Sequence, residues 1–129
     1  MFSHVAVGSD DLAKSKRFYD ALFEIIGCDK TIIDLNQRLM YWKNGQFLLV
    51  TKPVNGKPTA PGNGNTLGFA LNSKEDVDRW FKAGKETGGT PIEDPPGIRD
   101  PEGLKRYVAY LRDPFGTKLC GFHLIKKPV

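Results

Sequence analysis

From Phe2 to Val7 apolar and polar positions alternate, with Val5 and Val7 on one face and Phe2, His4 and Ala6 on the other. That period of two predicts a half-buried strand. The period then lengthens: Leu12, Phe18, Leu22, Ile25 and Ile26 recur at helical spacing up to Gly27, a natural stop. Ser9 or Asp10 can cap this helix, and Asp11 favours its positive end. Extended runs follow over 31–35, 38–43 and 46–52, the last two joined by Asn44-Gly45. Asn-Gly between apolar runs signals a tight hairpin, because both residues tolerate positive φ. The first half therefore reads β, α, β, β, β.

A stretch rich in proline and glycine, 53–64, reads as a linker. After it the pattern restarts. Over 65–71, Leu67, Phe69 and Leu71 share one face, and Thr66, Gly68 and Ala70 the other. Ser73 caps a second helix with Glu75 and Asp76 in its first turn, and Val77, Trp80, Phe81 and Gly84 form its stripe before Gly88-Gly89. The segment from Pro91 to Gly103 is expected to be mostly loop. A second hairpin spans Lys105 to Ile125 around Asp113-Pro114-Phe115-Gly116, with proline and glycine at turn positions that suit them. The strand, cap and helix order occurs twice, which is an internal repeat. The fold class is α+β: one domain over 1–129, with a first module of about 1–52, a linker of 53–64 and a second module of about 65–129.

Composition narrows the partners. With 129 residues, 40% of them hydrophobic, the chain can bury a core without disulfides or a structural metal. Apolar stretches such as Phe47 to Val50 are far shorter than the roughly 20 residues that span a bilayer. The N-terminus lacks a basic run followed by an apolar one, so a cytoplasmic location and no membrane partner are expected. The net charge is +4, but the 19 basic residues are scattered among 15 acidic ones without interleaved aromatics. Nucleic acid is not the expected partner. Two cysteines, Cys28 and Cys120, are expected to be free thiols.

Three segments carry a resemblance to a known family. They are His4-Val5-Ala6-Val7 with Asp11-Leu12 and Phe18-Tyr19, then Gly62 to Phe69, then Tyr107 to Leu119 with its Asp-Pro-x-Gly turn. Together they resemble the vicinal-oxygen-chelate group of glyoxalase, bleomycin-resistance and dioxygenase proteins. The resemblance implies two βαβββ modules whose mixed sheets curl around a cavity, helices outside, and a homodimer. It also implies a divalent ion (zinc, nickel or manganese) on His or Glu from related strands, open to two vicinal substrate oxygens.

Matched position by position, His4 falls on the first ligand position. Thr66 stands where related sequences have His, and Cys120 where they have the closing carboxylate; Phe47 to Val50 supplies no ligand. His4 and Cys120 are thus the candidate metal pair, completed by waters; in the enzyme reading His4 takes its partner ligands from Cys120 or the second subunit. The other reading of His4 is a hydrogen-bonded cavity residue, and of Cys120 a small buried hydrophobe. A reactive Cys120 thiolate would need a basic neighbour, and His4 is the one the sequence offers. His123, an odd number of positions from Cys120, is expected on the opposite face. The four-residue turn brings Tyr110 near Cys120, with Val108 and Arg106 on the same face. Arg106 is then an anion ligand or a solvated rim residue.

Two functions follow. One is a glyoxalase-related, lactoylglutathione-lyase-like or other metal-assisted enzyme. The alternative is a metal-free protein that binds or sequesters a small aromatic or cationic molecule, as bleomycin-resistance proteins do. The candidate ligand-cavity residues are His4, Thr66, Arg106, Tyr110 and Cys120.

Overall fold

The computed structural model describes residues 1–127; Pro128 and Val129, assigned above to the second module, lie outside them. Strand β1 (His4–Gly8) leads to helix α1 (Leu12–Ile26), then β2 (Lys30–Asp34), β3 (Arg38–Lys43) and β4 (Gln46–Thr51). The second round is β5 (Leu67–Ala70), α2 (Lys74–Glu86), β6 (Thr90–Arg99), β7 (Lys105–Arg112) and β8 (Lys118–Lys126), with a 3-10 turn over Pro101–Gly103. Each round forms its own four-stranded mixed sheet, ordered β1-β4-β3-β2 and β5-β8-β7-β6. β1 is parallel to β4 and β5 to β8, while the remaining neighbours are antiparallel. The α+β class and the doubled βαβββ order hold, but the sheets do not close on each other.

Local chemistry accounts for the elements. Asp11, rather than Ser9 or Asp10, caps α1, its carboxylate accepting from the Lys14 amide at 3.1 Å. Ser9 is buried instead, its hydroxyl 2.7 Å from that of Ser15. Ser73 caps α2 through the Asp76 amide at 3.1 Å. Asn44 and Gly45 take φ of 51° and 77°, the left-handed pair that a tight β3–β4 hairpin requires.

The expected loop from Pro91 to Gly103 is largely strand β6, and this corrects the sequence reading. β6 is the outer strand of its sheet, where a proline lacking an N–H costs no ladder hydrogen bond. A register shift between Ile92 and Gly97 absorbs Pro95 and Pro96. Within it Glu93 takes φ of 59°, an uncommon conformation for a residue with a side chain.

One core serves both rounds. Phe18, Tyr19 and Leu22 of α1 are fully buried together with Trp80 and Val77 of α2 and Leu111 and Leu119 of the second sheet. The helices approach closely because Gly84 presents no side chain: a Cβ there would stand 2.4 Å from Leu111 and 3.1 Å from Leu22. Gly121 likewise admits the Trp80 ring, which lies 2.7 Å from where a Cβ would be. Residues of each strand that point away from the helices are left facing a hollow. In β1 and β5 these are His4, Ala6, Gly68 and Ala70, all exposed.

Candidate functional site: a groove between two strand edges

β1 and β5 are each paired on one side only, and their free edges border a groove of about 990 Å³. Small side chains keep it open: Ala6 on one wall, Gly68 and Ala70 on the other. Val5, Val7, Leu67 and Phe69 line its depth with Phe23 of α1. At the β1 N-terminal end the parallel register sets His4 beside Phe47. Their rings stack, with centroids 4.6 Å apart and planes within 3°, and Trp42 extends the platform 4.4 Å beyond Phe47. Ser3 Oγ lies 2.8 Å from His4 Nδ1.

The linker closes the other end. The Thr59 amide donates to Asp10 Oδ1 at 2.8 Å, and Thr59 packs into the space left by Gly8. Pro61 packs on Gly116 in the β7–β8 turn. Thr66, exposed and one residue ahead of β5 rather than within it, lies here together with Lys118. A side recess of about 440 Å³ continues under the linker between Lys118 and Arg112.

The remaining candidates lie deeper in the second sheet. Tyr110 and Cys120 are direct cross-strand partners, with Arg106 two pairs further along on the same face. Lys118 joins them, its ammonium 5.0 Å from the Tyr110 ring centroid and ion-paired with Glu93 from the β6 bulge. Arg106 Nη1 donates to the Leu104 carbonyl at 3.1 Å. Burial raises the Cys120 thiol above its ordinary pKa and outweighs Tyr110, Arg106 and Lys118, which act to lower it. Arg106 and Lys118, not His4, are therefore the basic neighbours of this thiol. His123 falls on the other face of β8, its Nδ1 3.0 Å from the Leu71 carbonyl oxygen.

The match to known families follows this architecture. Residues 1–120 fit the model of the glyoxalase/bleomycin resistance protein/dioxygenase superfamily. The chain belongs to this superfamily. A glyoxalase/bleomycin resistance protein from Albidiferax ferrireducens is similar at 47% identity and a TM-score of 0.90, over 95% of this chain and 98% of that one. More distant likenesses show the fold alone. A putative glyoxalase from Bacillus halodurans is 22% identical with a TM-score of 0.76, over 95% of each chain. A lactoylglutathione lyase from Agrobacterium tumefaciens is 21% identical with a TM-score of 0.64, over 95% of this chain and 92% of that one. No curated protein matches the sequence.

The superfamily's metal chemistry needs donors that converge, and this chain's donors do not. His4 sits on the free edge strand of the first sheet and Cys120 inside the second. Among the described residues no three His, Cys, Asp or Glu side chains come together as a metal site. Within one chain, the described residues do not assemble a divalent-ion site.

Phe47, Lys118, Arg112 and Glu93 are site residues that the sequence reading passed over. Phe47 joins His4 only through pairing of strands 43 positions apart. Lys118 follows Thr117 in the turn motif and could have been placed by its parity with Cys120. Glu93 had no signal, since it reaches Lys118 only through the bulge. No helix among the described residues is long and apolar enough to cross a membrane.

Proposed function

We propose that this protein binds a small organic molecule in the groove between β1 and β5, and that His4 serves as part of an aromatic platform rather than as a metal ligand. The observation that carries this reading is the groove itself. It has the volume of a small-molecule site, an apolar floor, an open stacked ring pair at one end and a few polar groups at the other. Ala6, Gly68 and Ala70 are too small to fill it, and at Gly68 an added Cβ would meet nothing within 4 Å.

Two measurements test it. The first is elemental analysis of protein purified without chelator, beside a His4→Ala variant. Background metal in both is expected, and about one equivalent per chain that disappears in the variant overturns the reading in favour of a metal-assisted enzyme. The second is amide NMR with 6-phenylhexan-1-ol as a neutral probe. Shifts concentrated at Ala6, Gly68 and Ala70, and lost in Gly68→Leu, are expected. Shifts elsewhere, or none, reject the groove.

A further inference from the structure

The charged residues of the groove share one sign. Lys43 and Lys118 line it, Arg112 and Lys118 line the adjoining recess, and no carboxylate lines either among the described residues. Lys43 is committed to the Ile26 carbonyl at the end of α1. Lys118 is held by Glu93, whose side chain is 46% exposed, and lies over the Tyr110 ring. The Glu93 carboxylate is the more exposed partner and can turn to solvent, so a ligand anion can take its place at Lys118. Arg112 Nη1 donates to the Gly116 carbonyl at 2.8 Å, which leaves its other N–H groups for the recess. With Glu93 included, Lys118 and Arg112 leave one net positive charge at this end.

The cationic end and the aromatic end are separated along β1. The linker ties Gly8 and Asp10 to the β7–β8 turn, so Lys118 belongs to the Gly8 end and the His4–Phe47 stack to the opposite one. Four residue steps at about 3.3 Å make the distance about 13 Å. Between the ends the lining is Val5, Ala6, Val7, Leu67, Gly68 and Phe69, with hardly a polar side chain.

Resting on the groove reading above, we propose that the ligand is an elongated apolar monoanion, an aryl-alkyl or alkyl carboxylate. Its ring or tail end lies on His4–Phe47, and its carboxylate meets Lys118 and Arg112 beneath the linker. A cationic ligand of the same shape would bring its charge against Lys118 with no carboxylate in the groove to receive it, and like charges there oppose binding.

The test is calorimetric titration of the whole chain with three molecules of one length: 6-phenylhexanoate, 6-phenylhexan-1-ol and 6-phenylhexylamine. The carboxylate is expected to bind about tenfold tighter than the alcohol, the scale of one charge-assisted contact. The amine is expected to bind weakest. Lys118→Met should erase the advantage of the carboxylate over the alcohol. Raising the salt concentration on the unmodified protein should weaken the carboxylate alone, a readout independent of how the variant folds. Equal affinities, a tightest-binding amine, or an advantage that survives Lys118→Met overturns the anion assignment while the groove stands. Failure of all three to bind overturns the groove reading itself.

Discussion

The Tyr19 hydroxyl donates to Asp113 Oδ2 at 2.5 Å, joining the first helix to the last β-turn across 94 positions of sequence. Both residues are buried, and the other carboxylate oxygen accepts from the amides of Phe115 and Thr117 at 2.8 and 3.0 Å. The aspartate of the Asp-Pro-x-Gly signature therefore organises its own turn and receives the opposite module. Tyr19→Phe leaves one lone pair of a buried carboxylate without its partner. A loss of about 2 kcal/mol is expected in urea unfolding, within the range for hydrogen bonds to charged groups.

Alkaline pH should unfold the protein through its tyrosines. The hydrogen bond to Asp78, with some burial, pushes Tyr107 up to about 12. Burial first, then Asp113, raises Tyr19; burial and the hydrogen bond to Asp20 raise Tyr41. In the unfolded chain all three ionise near pH 10. A pKa raised in the folded state means stability that is complete below about pH 10 and is lost as pH climbs through 12. Melting temperatures should be flat from pH 7 to 9 and fall steeply above 10. Tyr107→Phe should begin lower at neutral pH and fall less across that window; an unchanged slope contradicts the assignment.

Gly121→Ala should destabilise by about 1–3 kcal/mol through overpacking. Its added methyl meets three atoms of the Trp80 ring at 2.7–3.1 Å, and a rigid indole with 0% exposure has nowhere to turn. Denaturant midpoints and the emission of Trp80 report this directly. Gly68→Leu, which points into open space, should leave the midpoint nearly unchanged.

Cys120 should behave as an inert thiol at neutral pH. Burial keeps it protonated, and 5% of its surface is exposed. Cys28, half-buried, is the more accessible of the two free cysteines. Native protein treated with iodoacetamide should carry its first label on Cys28, as peptide mass spectrometry would show. Rapid labelling of Cys120 instead would restore the activated-nucleophile reading.

The sequence made the repeated strand-helix order legible because each element carries its own period, cap or turn. Ser73, Asn44-Gly45 and Asp113-Pro114 act on residues within a few positions of themselves. β6 escaped because proline is read as a breaker, yet on an outer strand the missing donor faces no partner. Near the groove, alternation put His4 on the open face of β1, the resemblance alone singled out Thr66, which stands just ahead of β5, and turn length gave the pairing of Tyr110 with Cys120. Phe47 became a partner of His4 only when β1 settled beside β4, and Lys118 a groove residue only when the linker folded back over it. Those two relations depend on pairing between distant segments, which no local pattern encodes.

The glycine notch at Gly84 has a bearing on what the repeat can do alone. Two halves with the same element order suggest beads on a string, each melting at its own temperature. Here the α1 face that fills the notch, Leu22 and Phe18, would be naked in an isolated first half, and Gly84 would lose its cover in an isolated second. A core shared in this way ties the two halves into one unit, so a single unfolding transition is expected, with neither fragment folding until the other is added back.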